Sequence, residues 1–221
     1  FIDEDNLVGI VSPTYDQFRV SAESRGGKCN LIQCEDPFDL TVDEVLAKTK
    51  KHTKVLYLSN PNNPTGHLFT IHDIQKIAST LEETAIIVDE AYMEFCLPNS
   101  AVSLCQNNAN LFITRTFSKA FCLAGLRIGY VVCNPLYLEY IQKVKNTKEV
   151  TILAQRAAIA ALESWQHYQQ YISTINATKT AFAKELEKRN ITVKYGEGNF
   201  VLLKVESPET VSYTHLRAHE T

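Results

Sequence analysis

Between residues 7 and 132, short apolar runs alternate with segments that have the 3.6-residue period of a helix. This alternation constrains the fold more than any other feature, because strands that alternate with helices form βαβ units and a mostly parallel sheet. The runs that predict strands are Leu7–Val11, Lys28–Gln33, Lys54–Leu58, Ala85–Val88, Leu111–Arg115 and Ile128–Val132. The sequence therefore predicts an α/β fold.

The segments between these strands carry helix signals. The first helix is predicted to start at Pro13 and to end before Gly26, with Tyr15, Phe18 and Ala22 on one face. Two later helices are predicted to start with a capping box, in which a hydroxyl and an acidic side chain three residues on each accept a backbone N–H. These pairs are Thr41 with Glu44 and Thr70 with Asp73.

After Asn134 the helical period dominates. The predicted helices are residues 135–147, 151–163 and 164–189, and the predicted strands are Ile191–Lys194 and Asn199–Val205. We expect a large domain over 1–150, connecting helices and the start of a small α+β domain over 151–206, and a non-native tail over 207–221.

Neither end of the chain is expected to be a native terminus. The chain starts at Phe1 inside an acidic turn, and residues 211–221 fit neither structural period. His215 and His219 lie four residues apart, as helical zinc ligands do, but no third ligand accompanies them. We therefore predict a fragment without a metal site.

Composition narrows the functional classes. Hydrophobic residues make up 45% of the 221 residues and charged residues 21%, which is typical of a globular protein. The net charge of −3 gives no basic face for nucleic acid or anionic lipid, and no apolar run reaches the ~18 residues of a membrane helix. Six scattered cysteines without a C-x-x-C pair indicate reduced thiols in a cytoplasmic protein.

Polar clusters follow three of the predicted strands. They occupy residues 59–66, 89–92 and 115–119. Ligands of α/β sheets bind outside the carboxyl ends of the strands, so we expect these clusters to share one edge of the sheet.

Lys119 lies just past the fifth predicted strand, close in sequence to Thr116, Ser118 and Arg127. Its amine can form an imine with an aldehyde, and the hydroxyls and the guanidinium can bind phosphate oxygens. Pyridoxal 5′-phosphate is a cofactor that requires both. A lone lysine is more often a solvated loop residue, so the prediction depends on the rest of the chain.

The other strand ends carry groups that a pyridoxal ring requires. Asp89 can keep the ring nitrogen protonated, and Asn63 and Tyr92 can donate hydrogen bonds to the phenolate oxygen. Tyr15 can stack on the ring. Each has an ordinary alternative: Asp89 can cap the next turn, the loop around Asn63 can satisfy its own backbone, and Tyr15 can pack in the core.

These motifs resemble those of the class I and II aminotransferases of fold type I, which depend on pyridoxal phosphate. Within that family the chain is most similar to the histidinol-phosphate aminotransferases. The matching stretches are Ser12–Tyr15, Ser59–Gly66, Val88–Phe95 and Arg115–Tyr130. The resemblance implies the large domain of that fold, with three layers and helices on both faces of the sheet.

The resemblance also implies a role for each residue. Lys119 binds the cofactor as an imine and moves the proton at the substrate Cα, while Asp89 pairs with the pyridine nitrogen. Asn63 and Tyr92 bind the phenolate oxygen, and Tyr15 stacks on the ring. The implied phosphate ligands are Thr116, Ser118 and Arg127, and the implied catalytic residues are Lys119, Asp89 and Tyr92. The implied reaction is amino transfer between histidinol phosphate and 2-oxoglutarate by a homodimer.

Other functions share parts of this pattern. Threonine-phosphate decarboxylases and aromatic aminotransferases resemble the same motifs, and a non-catalytic remnant could keep the fold. The presence of both Lys119 and Asp89 argues against such a remnant. The family's N-terminal arm and its substrate-binding arginines fall outside the resemblance, so we expect the 221-residue chain itself to be inactive or nearly so.

Overall fold

The structure, a computed structural model, describes residues 2–144 and 150–203. The strands are β1 (Leu7–Ser12), β2 (Lys28–Gln33), β3 (Val55–Ser59), β4 (Ala85–Asp89), β5 (Leu111–Thr116), β6 (Gly129–Cys133), β7 (Val193–Lys194) and β8 (Leu202–Leu203). The α-helices are α1 (Gln17–Glu23), α2 (Val42–Lys48), α3 (Ile71–Thr80), α4 (Leu138–Val144), α5 (Ile152–Glu163) and α6 (Trp165–Lys188). Short 3₁₀ helices span Met93–Phe95, Ala101–Gln106, Ala124–Leu126 and Pro135–Tyr137.

The first six strands form one sheet in the order β2-β1-β3-β4-β5-β6. Neighbouring strands are parallel except for β5 and β6, which are antiparallel. The register places Ser59 opposite Asp89 and Asp89 opposite Thr114. The mostly parallel sheet predicted from the sequence is confirmed, and its polar strand ends lie in one row.

Helices cover both faces of this sheet, because alternate residues of a strand point to opposite sides. On one face, Leu56 of β3 belongs to a buried cluster with Val45 of α2 and Ile74 of α3. On the other face, Tyr57 of β3 belongs to a cluster with Phe18 of α1. The three-layer arrangement is thus confirmed.

Helix α1 begins at Gln17, so the predicted start at Pro13 is wrong. The backbone oxygen of Pro13 accepts a hydrogen bond from the side chain of Asn62 at 2.9 Å, which holds this segment against the loop after β3. Tyr15 consequently precedes the helix instead of lying on its buried face.

Both predicted capping boxes are present, and that of α3 provides a test of local stability. Thr70 Oγ1 accepts from the backbone N of Asp73 at 3.2 Å, and Asp73 Oδ2 accepts from the backbone N of Thr70 at 2.8 Å. We expect Thr70→Ala to lower the free energy of unfolding by about 1 kcal/mol, because it leaves a helix N–H without its acceptor. Urea denaturation measures the loss. Thr70→Ser retains the hydroxyl and should recover most of it, whereas equal losses in both variants would contradict the capping role.

The C-terminal helices are confirmed where the structure describes them, and residues 145–147 of the first lie outside that part of the chain. Strand β7 begins at Val193 rather than at Ile191, because the backbone N of Ile191 donates to Leu186 O at 3.1 Å and closes the end of α6. Strand β8 covers only Leu202–Leu203 of the predicted Asn199–Val205, whose last two residues are outside the described range. The predicted tail with His215 and His219 also lies outside it.

Among the described helices, none is long and apolar enough to cross a membrane. All six cysteines carry free thiols. Burial raises the pKa of Cys96 to about 12 and that of Cys105 to about 11, which keeps both thiols protonated at neutral pH.

Candidate active site

A cavity of about 360 Å³ opens at the carboxyl ends of β3, β4 and β5. Its lining comes from all three polar clusters, from the segment that precedes α1, from Thr114 of β5 and from Arg127. It includes every site residue predicted from the sequence: Tyr15, Asn63, Asp89, Tyr92, Thr116, Ser118, Lys119 and Arg127. Residues distant in the chain therefore converge on one space.

Asp89 ends β4 at the floor of this cavity. Its Oδ2 accepts a hydrogen bond from the Tyr57 hydroxyl at 2.9 Å, and its Oδ1 accepts one from the backbone N of Ala91 at 3.1 Å. Burial raises the pKa of the carboxyl, while these hydrogen bonds and the charge of Lys119 act in the opposite direction.

Lys119 reaches the cavity from the turn after β5. Its Nζ lies 5.2 Å from the centroid of the Tyr92 ring. The backbone oxygen of Lys119 accepts from the N of Cys122 at 3.1 Å, which closes the turn behind the side chain. The amine is thus presented to the same space as the carboxylate of Asp89.

Asn63 and Tyr92 form a hydrogen-bonded pair on the cavity wall. The Asn63 side-chain amide donates to the Tyr92 hydroxyl at 3.0 Å. Tyr92 is buried, and Phe200 packs edge-on against its ring at 5.1 Å between centroids. The amide and the phenol are therefore held side by side.

The loop that carries Asn63 is fixed by its neighbours rather than by Asn63 itself. Asn60 donates to Phe69 O at 3.1 Å and accepts from Phe69 N at 2.7 Å. Gly66 adopts a φ of +73°, and its carbonyl accepts from the N of Glu197 at 2.8 Å. A side chain at position 66 would meet the backbone of Gly196 at 2.7 Å, so glycine is required for this close approach.

Hydroxyl groups and a guanidinium also line the cavity. The Thr116 hydroxyl donates to Ser118 Oγ at 2.9 Å and accepts from the N of Ser118 at 3.1 Å. Arg127 has the left-handed φ of +49°, and its Nη1 donates to Ala124 O at 3.0 Å. Arg127 is exposed, so the rest of its guanidinium can bind an anion.

Tyr15 is 59% exposed and contributes its ring to the cavity wall. Core packing, the ordinary alternative for this residue, is thereby excluded. The ring is free to contact a bound group.

Sequence reasoning missed Tyr57, whose hydroxyl holds Asp89, and gave no site role to Thr114 or Arg115, which also line the cavity. The period of two in β3 puts Tyr57 on the same face as the strand-end Ser59, and its hydroxyl is unusual in an apolar run. Those two signals together could have indicated it.

Arg115 joins the tips of β4 and β5 through buried carboxylates. Its Nε donates to Glu90 Oε2 at 2.7 Å, its Nη1 to Glu94 Oε1 at 2.7 Å, and its Nη2 to Ser100 Oγ at 2.9 Å. Glu90 is fully buried and its Oε1 also accepts from the N of Ala101 at 2.7 Å. The network fixes the strand ends from which Asp89 and Thr116 extend.

The donor set fits a phosphorylated aldehyde with a ring nitrogen. An amine, a carboxylate, an amide–phenol pair and a cluster of hydroxyls with a guanidinium line one cavity, and an exposed aromatic ring stands beside them. These are the groups that pyridoxal 5′-phosphate requires.

A family model described as aminotransferase class I and II matches residues 1–220. A dihydroxyacetone phosphate transaminase of Campylobacter jejuni is 40% identical over 94% of this chain and 58% of its own length. A histidinol-phosphate aminotransferase of Methanococcoides burtonii is 36% identical over 90% of this chain and 54% of its own. The chain thus spans little more than half the length of these relatives.

Solved structures agree with the fold. The histidinol-phosphate aminotransferase of Clostridium acetobutylicum superposes with a TM-score of 0.88 at 26% identity, over 97% of this chain and 67% of its own. That of Sinorhizobium meliloti, solved with pyridoxal 5′-phosphate, has a TM-score of 0.88 at 24% identity, over 96% of this chain and 59% of its own. The predicted architecture of fold type I is confirmed. Because one family model matches almost the whole sequence, the chain belongs to the aminotransferases of class I and II.

Proposed function

We propose that the protein is a pyridoxal 5′-phosphate-dependent aminotransferase that acts on a small phosphorylated substrate. The observation that carries the proposal is the single cavity in which Lys119, Asp89 and the hydroxyls of Thr116 and Ser118 meet. When bound, the cofactor supplies an aldehyde that condenses with amines and a protonated ring that accepts electron density from the substrate Cα.

Lys119 is the proposed base. Its amine would take the proton from the substrate Cα and deliver it to C4′ of the cofactor, the carbon that carries the aldehyde. The neighbouring ring of Tyr92, 5.2 Å from Nζ, limits where the amine can lie. A positioned amine of this kind contributes about 10²–10⁴-fold to the rate.

Asp89 is proposed to hold the proton on the pyridine nitrogen. A carboxylate at a partly buried strand end interacts strongly with a cation because little water screens it. Asn63 and Tyr92 are proposed to donate hydrogen bonds to the phenolate oxygen of the ring. Their mutual contact at 3.0 Å supports this proposal, because it keeps the amide and the phenol side by side.

The phosphate is proposed to lie against Thr116, Ser118 and Arg127. Hydroxyl donors and a guanidinium together satisfy several phosphate oxygens. Tyr15 is proposed to stack on the ring, since its side chain is exposed on the cavity wall.

The substrate proposed is histidinol phosphate, which the name of the Methanococcoides relative contains. The proposed acceptor is 2-oxoglutarate, as the family resemblance implies. Dihydroxyacetone phosphate is a second candidate, favoured by the 40% identity of the Campylobacter relative. Both substrates carry a phosphate ester. Thr116, Ser118 and Arg127 are assigned to the phosphate of the cofactor, so this ester requires an anion site of its own.

The substrate test uses the whole protein. Glutamate formation from histidinol phosphate and 2-oxoglutarate is compared with 2-oxoglutarate formation from glutamate and dihydroxyacetone phosphate. A kcat/KM at least about 100-fold higher for one pair identifies the substrate. Carbon dioxide release from threonine phosphate, or turnover of aromatic amino acids alone, would overturn both candidates.

We further propose the organisation that the sequence predicts: a large cofactor-binding domain over residues 1–150 and the start of a small domain over 151–206. A homodimer in the cytoplasm is proposed for the whole protein. The free thiols of all six cysteines support a reducing compartment.

Replacing Asp89 separates cofactor binding from chemistry. We expect Asp89→Asn to retain part of the cofactor, because the phosphate ligands remain. The rate of exchange of the substrate α-hydrogen should fall by at least about 100-fold, because a pyridine ring without its proton accepts electrons poorly. Proton NMR in D₂O follows this exchange. Asp43→Asn is the matched control, because the Asp43 side chain is 82% exposed and lies outside the cavity. Exchange at the wild-type rate in Asp89→Asn would contradict the role.

A further inference from the structure

Tyr57 places a phenol hydroxyl inside an otherwise apolar strand. The residue lies in β3 and is only 3% exposed. Its hydroxyl donates to Asp89 Oδ2 at 2.9 Å. Because this buried hydroxyl contacts a carboxylate of the site, we infer that Tyr57 does more than pack in the core.

The Tyr57 ring has little freedom to move. The register pairs Tyr57 with Ile87, so Asp89 lies two residues further along β4 on the same face of the sheet. The Phe18 ring of α1 stacks on Tyr57 with centroids 4.3 Å apart and planes 8° from parallel. Strand and helix together therefore aim the hydroxyl at one oxygen of Asp89.

The two oxygens of Asp89 accept hydrogen bonds from different donors. Tyr57 donates to Oδ2 and the backbone N of Ala91 donates to Oδ1. Each carboxylate oxygen accepts more than one hydrogen bond, so accepting capacity remains for a group in the cavity.

We propose that Tyr57 is a positioning residue, whose hydroxyl fixes the carboxylate of Asp89 in the orientation that presents it to the pyridine nitrogen of the cofactor. This inference rests on the proposed function of the site. Tyr57 itself touches neither substrate nor cofactor in this role and acts through Asp89.

The contact also affects the charge of Asp89. A hydroxyl that donates to a carboxylate favours its charged form, and the Tyr57 hydrogen bond accordingly lowers the pKa of Asp89 against the opposing effect of burial. Burial and the charge of Asp89 raise the pKa of Tyr57, so the phenol keeps its proton and remains a donor.

Other titratable groups that line the cavity with Asp89 belong to three different segments. They are Tyr15 before α1, Tyr92 after β4, and Arg115, Lys119 and Arg127 from β5 and the turn that follows it. Among the residues that the structure describes, Tyr57 is the titratable side chain that forms a hydrogen bond with Asp89.

Tyr57→Phe tests the proposal because it removes the hydroxyl and keeps the ring that stacks on Phe18. In the cofactor-free chain, ¹³C NMR of labelled aspartate follows the carboxyl titration, with Asp89→Asn assigning the resonance. We expect the midpoint of the Asp89 carboxyl titration to move to higher pH in Tyr57→Phe. We also expect the affinity for pyridoxal 5′-phosphate to fall about 10-fold, the effect of a lost hydrogen bond to a charged group.

A double-mutant cycle distinguishes positioning from a general structural role. In the Asp89→Asn background, Tyr57→Phe should leave the cofactor affinity unchanged, since the carboxylate through which it acts is gone. Tyr140→Phe, at a tyrosine of α4 that is 63% exposed, is the control and should behave as wild type.

The outcomes separate this inference from the proposed function. If the wild-type chain binds the cofactor but Tyr57→Phe changes neither the midpoint nor the affinity, the positioning role is overturned and the function stands. An equal loss of affinity in both backgrounds would also overturn it. If the wild-type chain binds no cofactor, the proposed function is overturned, and so is the inference that Tyr57 presents Asp89 to the cofactor. The titration midpoint of Asp89 tests the contact between Tyr57 and Asp89 whether or not the cofactor binds.

Discussion

Lys119→Ala should abolish the stable yellow complex that we expect the wild-type chain to form with pyridoxal 5′-phosphate. Without the amine, the cofactor is held by its phosphate and ring contacts alone, so dialysis removes it and borohydride no longer attaches it to the protein. Absorption spectra before and after dialysis, with mass spectrometry of the reduced protein, measure both effects. In the whole protein, we expect transamination to fall by at least about 10³-fold.

Lys184→Ala is the matched control, because Lys184 is an exposed lysine of α6 outside the cavity. It should keep the wild-type spectrum and the adduct mass. If borohydride still attaches the cofactor to Lys119→Ala in the same yield, another lysine carries it and the assignment of Lys119 is wrong.

Arg115→Ala should lower the free energy of unfolding by about 3–5 kcal/mol, the usual cost of leaving a buried charge without its partner. The side chain of Arg115 is 9% exposed, and those of Glu90 and Glu94 are 0% and 4% exposed. Its removal leaves two carboxylates in a space that water hardly reaches. Urea denaturation followed by circular dichroism gives the difference.

An exposed ion pair provides the contrast. Lys28 Nζ lies 2.8 Å from Asp5 Oδ1, but their side chains are 69% and 73% exposed. Water screens such a pair, so Lys28→Ala should unfold close to wild type. If Lys28→Ala and Arg115→Ala lower the free energy of unfolding by similar amounts, the buried network does not hold the tips of β4 and β5.

Most of the fold could be predicted because it depends on local patterns. The segment that forms β2 is predicted with its observed ends, Lys28–Gln33. The capping boxes at Thr41 and Thr70 were read from residues three positions apart, which interact in any helix that starts there. The start of α1 could not be predicted, because Asn62, 49 residues away, holds the backbone of Pro13.

The candidate site divides in the same way. The sequence shows which reactive side chains follow the strands. Asp89 follows one apolar run and Lys119 follows another. The partner of Asp89 does not follow from the sequence, because Tyr57 lies 32 residues earlier and reaches it only through the pairing of β3 with β4. For Tyr15 the sequence allowed core packing as well as ring stacking, and only its exposure in the folded chain excludes core packing.

The sequence by itself determined which elements form, in what order, and which reactive side chains follow each strand, because periodicity and capping act between near neighbours. The tertiary structure decided which of those side chains meet. The order and register of the strands set the distances from Asp89 to Tyr57 and from Arg115 to Glu90, and no local pattern encodes them. The electrostatic surroundings of each group follow from those distances and from burial. For this reason the contact of Tyr57 with Asp89 can be identified only in the folded chain.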